Sequence, residues 1–126
     1  MNGMLKGLMA AAALTVLAPA ALMQAASAPQ TVVVKLSEWS LGAKTITVKG
    51  TMARFEVEND GQYPHDFRIQ AMIGDKMVEL ATPVLKKGEK AVLIASLPAG
   101  TYNAYCDLPT HADKGMKANL TFEAAK

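Results

Sequence analysis

The chain has 126 residues and a formal net charge of +2, with 13 Lys and Arg against 11 Asp and Glu. That length holds one domain, and the near balance of charge, without a long basic run, excludes nucleic acid as an indicated partner. Its single cysteine excludes a disulfide within the chain.

The first 28 residues read as a secretory signal peptide. Met1 to Lys6 carries one positive charge and no acid, and Gly7 to Met23 is dominated by Ala, Leu, Met and Val. Ala26-Ser27-Ala28 is a small-residue cleavage site before Pro29. The apolar run is too short for a retained membrane anchor, so no stable membrane insertion is expected. No cysteine beside the cleavage point offers a lipid attachment site. The reading therefore divides the chain into a leader, 1–28, and a domain, 29–126, whose net charge falls to +1 once Lys6 is gone. Export places the domain in the periplasm or outside the cell, where an oxidising environment makes an unpaired thiol a liability. A bound metal would occupy it.

From Thr31 onward, strand signals recur every eight to twelve residues, separated by Gly, Pro, Asn or Asp. Thr31 to Leu36 is rich in β-branched residues, and Lys44 to Val48 alternates before Lys49-Gly50. Ala53 to Glu58 alternates strictly, with Phe55 and Val57 on one side and Arg54, Glu56 and Glu58 on the other. His65 to Ile73, Met77 to Ala81, Lys90 to Leu97, Thr101 to Cys106 and Lys117 to Glu123 complete the set. No window after the leader offers an amphipathic helix.

Eight short strands predict an all-β, Greek-key β-sandwich. The expected inner face comprises Phe55, Val57, Phe67, Ile69, Val92, Ile94, Tyr102, Leu120 and Phe122. Tyr102, just after Pro98-Ala99-Gly100-Thr101, stands where such sandwiches tie a tyrosine hydroxyl to nearby backbone. Trp39 is expected to pack near one end of the sandwich. Met52, Met72 and Met77, within or beside strands, are assigned to the core. Lys86-Lys87-Gly88-Glu89-Lys90 reads as a solvated turn.

The chemistry lies in Tyr105-Cys106-Asp107-Leu108-Pro109-Thr110-His111-Ala112-Asp113-Lys114-Gly115-Met116. Four residues separate Cys106 from His111, and four more separate His111 from Met116. The other histidine, His65, follows Pro64 at the start of a predicted strand. One thiolate, two imidazoles and one thioether form the donor set of a blue-copper site. Each residue alone has a plainer reading, as a buried thiol, a surface imidazole or a core filler. Together they place every Cys and His of the chain at ligand spacing.

With these motifs the chain resembles the cupredoxins, the small blue-copper proteins, from Val32 to Phe122. The Gly100-Thr101-Tyr102 and Tyr105-Cys106 approach is similar to plastocyanin. The four-and-four ligand loop is similar to the auracyanin, sulfocyanin and rusticyanin branch instead. The resemblance implies His65, Cys106 and His111 as equatorial ligands and Met116 as axial ligand of one copper ion, with the Pro64 carbonyl nearby. The family commonly has Asn after the first histidine; Asp66 keeps the backbone donor but loses the side-chain amide. Leu108 keeps an N–H for the sulfur, which proline at that position would have removed.

The implied function is a soluble, monomeric one-electron carrier of the cell envelope, docking a redox-protein donor and acceptor in turn. It is not expected to be an enzyme. The alternative is a periplasmic copper storage or delivery protein, a role that favours exposed, exchangeable Met- or His-rich ligands. A multicopper enzyme needs more histidines than the two present.

Overall fold

A computed structural model describes residues 28–124. All but the last residue of the expected leader, 1–28, therefore lies outside the described residues. Among the described residues there are eight strands and no helix: β1 (Gln30–Leu36), β2 (Thr45–Lys49), β3 (Met52–Asn59), β4 (Arg68–Ile73), β5 (Lys76–Ala81), β6 (Lys90–Ser96), β7 (Gly100–Tyr105) and β8 (Lys117–Glu123). They form a three-stranded sheet, β1-β3-β6, and a five-stranded sheet, β2-β8-β7-β4-β5. The β1–β3 and β2–β8 pairs are parallel and the others antiparallel. The expected all-β sandwich is what the chain adopts.

Alternation explains the core. Val34 and Leu36 of β1, Phe55 and Val57 of β3, Ile69 and Ala71 of β4, and Leu120 and Phe122 of β8 are buried. Fully burying one of the larger of these, a Val, Leu, Ile or Phe, contributes about 1.5–3 kcal/mol. Phe55 and Phe67, from opposite sides of the sandwich, pack with ring centroids 5.2 Å apart. Tyr102 behaves as expected, its hydroxyl donating to the Pro98 carbonyl at 2.6 Å.

Two side-chain expectations need correction. Val92 and Ile94 face outward, 49% and 52% exposed, and the inner side of β6 is Ala91, Leu93 and Ala95. Register gives the reason: Leu93 pairs opposite Phe55, whereas Val92 and Ile94 pair opposite Glu56 and Arg54. Directly opposed residues share a face. Met72 and Met77, a directly opposed pair at the β4–β5 hairpin, are also exposed rather than core, and Met52 is only half-buried.

The register also builds one pole of the sandwich. Arg68 pairs with Tyr105, and Tyr105 with Lys117, so the start of β4, the end of β7 and the start of β8 stand on one rung. Three neighbouring strand ends therefore release their loops together. His65 comes three residues before that rung, Cys106 one residue after it, and Met116 one residue before it.

Candidate metal centre

His65 does not begin a strand, as its sequence suggested; β4 starts at Arg68. Instead its backbone exchanges two hydrogen bonds with Leu85, N–H to O at 3.0 and 2.8 Å. The preceding turn is knitted by Asn59, fully buried, whose amide donates to the carbonyls of Tyr63 at 2.9 Å and Leu85 at 2.8 Å. Its Oδ1 accepts from the Gly61 N–H at 2.8 Å. Every polar atom of that buried side chain is satisfied, so the turn holds one geometry.

Cys106 lies just beyond β7, and its N–H donates to the Met116 carbonyl at 3.1 Å. Between them the loop winds tightly. His111 N–H donates to Leu108 O, Gly115 N–H to Ala112 O, and Met116 N–H back to His111 O, at 3.0–3.1 Å. Gly115 is required twice over. Its φ of +128° is strained for other residues, and a Cβ there would stand 2.9 Å from the Trp39 carbonyl oxygen.

These constraints bring three donors together. One ligand atom each from His65, Cys106 and His111 lie within 4.8 Å of one another. The two Nδ1 atoms are 3.2 Å apart, and Cys106 Sγ is 3.5 Å from His111 Nδ1. Donors about 2.0 Å (N) and 2.3 Å (S) from one first-row ion, at near-tetrahedral angles, would stand about 3.3 Å (N to N) and about 3.5 Å (N to S) apart. The cluster fits a single metal ion. His65, Cys106 and Met116 are buried and His111 is half-buried, so three of the four expected ligands are closed to solvent. Met116 is joined through its backbone to both Cys106 and His111.

Burial pushes the Cys106 thiol up, opposed by the N–H groups of Asp66 and Leu108, which favour the thiolate. Both backbone N–H groups expected to favour the thiolate therefore act on the sulfur in that sense. Burial likewise pulls His111 down, assisted by the neighbouring His65 and Lys114. Neutral imidazole is the metal-binding form.

Asp66 takes over the bracing that an amide would have given. Its Oδ1 accepts from the Asp107 N–H at 2.8 Å, tying the residue after Cys106 to the residue after His65. Its Oδ2 pairs with Arg68 Nε at 2.9 Å, and Arg68 also reaches Glu79 at 3.0 Å. A buried carboxylate thus works as an acceptor, its charge compensated by an adjacent guanidinium.

Three side chains, Trp39, Lys114 and Glu38, make contacts at the site that the sequence did not signal. Trp39 packs near the sandwich end as expected, but its ring also meets His111 edge-on at 4.8 Å and stacks on Tyr63 at 5.7 Å. Lys114 Nζ lies 4.5 Å from the Trp39 ring centroid. Glu38, for which no spacing offered a signal, contacts His65 Nε2.

The pattern of the cupredoxin-like domain matches residues 7–121. The chain belongs to the cupredoxin-like family. No match was found among curated proteins. Among solved structures, this cupredoxin is similar to a dithionite-reduced auracyanin of the photosynthetic bacterium Roseiflexus castenholzii. The TM-score is 0.64 at 21% identity, covering 76% of this chain and 98% of that one. It is similar to auracyanin A of Chloroflexus aurantiacus, described as a "blue" copper protein, with TM-score 0.64, 14% identity, and 76% and 100% coverage. It is also similar to a Cu(I) amicyanin variant, with TM-score 0.56, 22% identity, and 74% and 82% coverage. At such identities these likenesses speak to the fold; the ligand geometry above is this chain's own.

Proposed function

We propose that this cupredoxin is a one-electron carrier of the cell envelope. It holds one copper ion through His65, Cys106 and His111 with Met116 as a weak fourth donor. It works as an exported, soluble monomer between a redox-protein donor and acceptor, and catalyses no reaction itself. The observation that carries this reading is the mutual approach of two imidazole nitrogens and a thiol sulfur within 4.8 Å, in a pole where two of the three are fully buried. When bound, copper supplies the Cu(II)/Cu(I) couple for which thiolate, imidazole and thioether are the suited donors.

The chain's own residues set how that couple behaves. The Asp66 and Leu108 N–H groups withdraw charge from the Cys106 sulfur and favour the reduced state. The β4-β7-β8 rung, the Asn59 knot and the wound 107–115 loop keep the donors in place, so they need not move as the electron comes and goes. Buried Cys106 and Met116 make poor exchangeable ligands, which counts against a storage or delivery role.

The electron's exit is His111, half-buried and the most accessible of the four ligands. Around it stand exposed Pro109, Tyr63 and Pro64 and half-buried Leu108 and Ala112. A small, largely apolar patch suits weak redox encounters that dissociate quickly.

Purified protein given one equivalent of Cu(II) is expected to turn intensely blue or green and to bleach reversibly with ascorbate. Uptake without colour, or uptake of several ions to reach it, defeats the reading.

Met116 should tune the couple rather than hold the metal. The other candidate thioethers are remote: Met52 opens β3 seven residues before Asn59, about 23 Å along the strand. Met72 and Met77 sit on the outer face at the β4–β5 hairpin. Met116→Leu removes a donor that favours Cu(II) and should raise the potential; Met116→Gln supplies a harder oxygen and should lower it. Each shift is expected near a tenfold change in equilibrium, about 59 mV for a one-electron couple, with copper retained. Potentials unchanged in both variants, read by redox titration, exclude Met116 as the fourth donor.

A further inference from the structure

The His65 ring turns Nδ1 toward His111, leaving Nε2 on its far side. There it meets Glu38 Oε2. His65 is fully buried, and the Glu38 side chain is 21% exposed. Glu38 sits between β1 and β2, where Ser37 and Ser40 exchange backbone hydrogen bonds of 3.1 and 2.8 Å across it. Its carboxylate is held from a second side by the turn that leads into His65. Gln62 N–H donates to Oε1 at 2.8 Å, and Tyr63 N–H to Oε2 at 3.3 Å. Gln62's hydrogen bond, helped by those of His65 and Tyr63, holds the Glu38 carboxyl down at about 2.

Gly61 shows that this contact is built into the sequence. Its φ lies outside the left-handed region, so backbone conformation alone does not require glycine there. Space does. A Cβ at that position would overlap Glu38 Oε2, stand 2.9 Å from Glu38 Cδ and lie 3.0 Å from His65 Nε2. The absent side chain leaves the gap through which the carboxylate reaches the imidazole.

We propose that Glu38 is a positioning residue for His65, one that also biases the bound copper toward Cu(II). A carboxylate can only accept, so Nε2 carries the ring proton and Nδ1 keeps its lone pair free for the metal. Hydrogen bonding from a histidine ligand to a carboxylate fixes the ring's tautomer and orientation and raises its basicity. The negative charge behind the ring stabilises the more highly charged metal state. Glu38 thus opposes the Asp66 and Leu108 N–H groups, which favour Cu(I) from the sulfur side.

This inference rests on the copper reading, and two measurements separate their fates. The first needs no metal. In the metal-free full-length protein at pH 8, above the ordinary imidazole range, imidazole ¹⁵N shifts should show His65 protonated at Nε2. In Glu38→Ala the proton should redistribute between the two nitrogens. A wild-type His65 protonated at Nδ1 overturns the proposal whatever the metal does.

The second is the reduction potential of the copper-loaded protein. Glu38→Gln keeps the shape and an acceptor but removes the charge; it should move the equilibrium about tenfold toward Cu(I), about 59 mV upward. Gly61→Ala keeps Glu38 but pushes it off the ring, and should move the potential the same way. Glu123→Gln, a carboxylate near the far end of β8, corrects for net charge. Shifts in Glu38→Gln and Gly61→Ala no larger than that control's overturn the role of Glu38, while an intact thiolate-to-copper band keeps the copper reading. A wild type that never develops the band defeats the copper reading and leaves the tautomer to decide for Glu38.

Discussion

Cys106→Ser is expected to abolish the intense visible absorption of the copper-loaded protein while leaving the fold in place. The band requires a sulfur-to-Cu(II) charge transfer, and a serine oxygen, harder and protonated at neutral pH, cannot supply it. The fold should survive because serine is no larger than cysteine and the buried hydroxyl can accept from the Asp66 and Leu108 N–H groups that face Cys106. A stability loss of about 1–2 kcal/mol covers the changed burial. Copper should bind more weakly through His65 and His111 alone. Because burial raises the Cys106 thiol, metal must displace its proton, so wild-type affinity should tighten as pH rises. Visible spectra, circular dichroism and a copper titration on the same samples decide it. A variant that keeps the band shows that Cys106 is not the ligand.

How much of this was legible depended on whether composition forced an answer. The chain has one Cys and two His, so the metal donors were found by elimination as well as by spacing. Strands with one polar face, such as Ala53–Glu58, announced their orientation through alternation. Ala91 to Ala95 is apolar throughout, so neither face of β6 was marked, and only its pairing with β3 assigns Leu93 inward. Met72 and Met77 were misplaced for a related reason: a methionine on a solvent face costs too little to be excluded by hydrophobicity.

The supporting polar groups were the least visible. Asp66 could be named from its neighbour His65, but its partners Asp107 and Arg68 emerge only when β4 and β7 are set side by side. Glu38 is 27 residues from His65 and joins it from the far side of the ring. No periodicity encodes such a meeting. Gly61 was the one local trace, and a glycine in an Asn-Asp-Gly turn is read as turn chemistry before it is read as space.

Phe67→Ala is expected to cost about 3–5 kcal/mol, the range for truncating a fully buried aromatic. Phe67 is 0% exposed and packs on Phe55, joining the inner faces of the two sheets. Its backbone is pinned independently: its N–H donates to Thr82 Oγ1 at 3.1 Å, and its carbonyl accepts from the Thr82 N–H at 3.0 Å. A chain held in this way cannot collapse into the space left by the ring, so the cavity term should be near its full size. Against a total of about 5–15 kcal/mol for a domain, that loss takes about a fifth or more of the stability. At about 4–8 °C per kcal/mol for a domain of this size, the melting temperature should fall by at least about 12 °C. The effect should reach the metal pole as well, because Phe67 directly follows Asp66, whose N–H faces the Cys106 sulfur and whose carboxylate ties down Asp107. Copper bound only to the folded state should recover part of the loss. Thermal unfolding with and without copper measures both effects. A metal-free loss below about 1 kcal/mol would mean that the two sheets do not depend on this ring, and that the pole is supported from elsewhere.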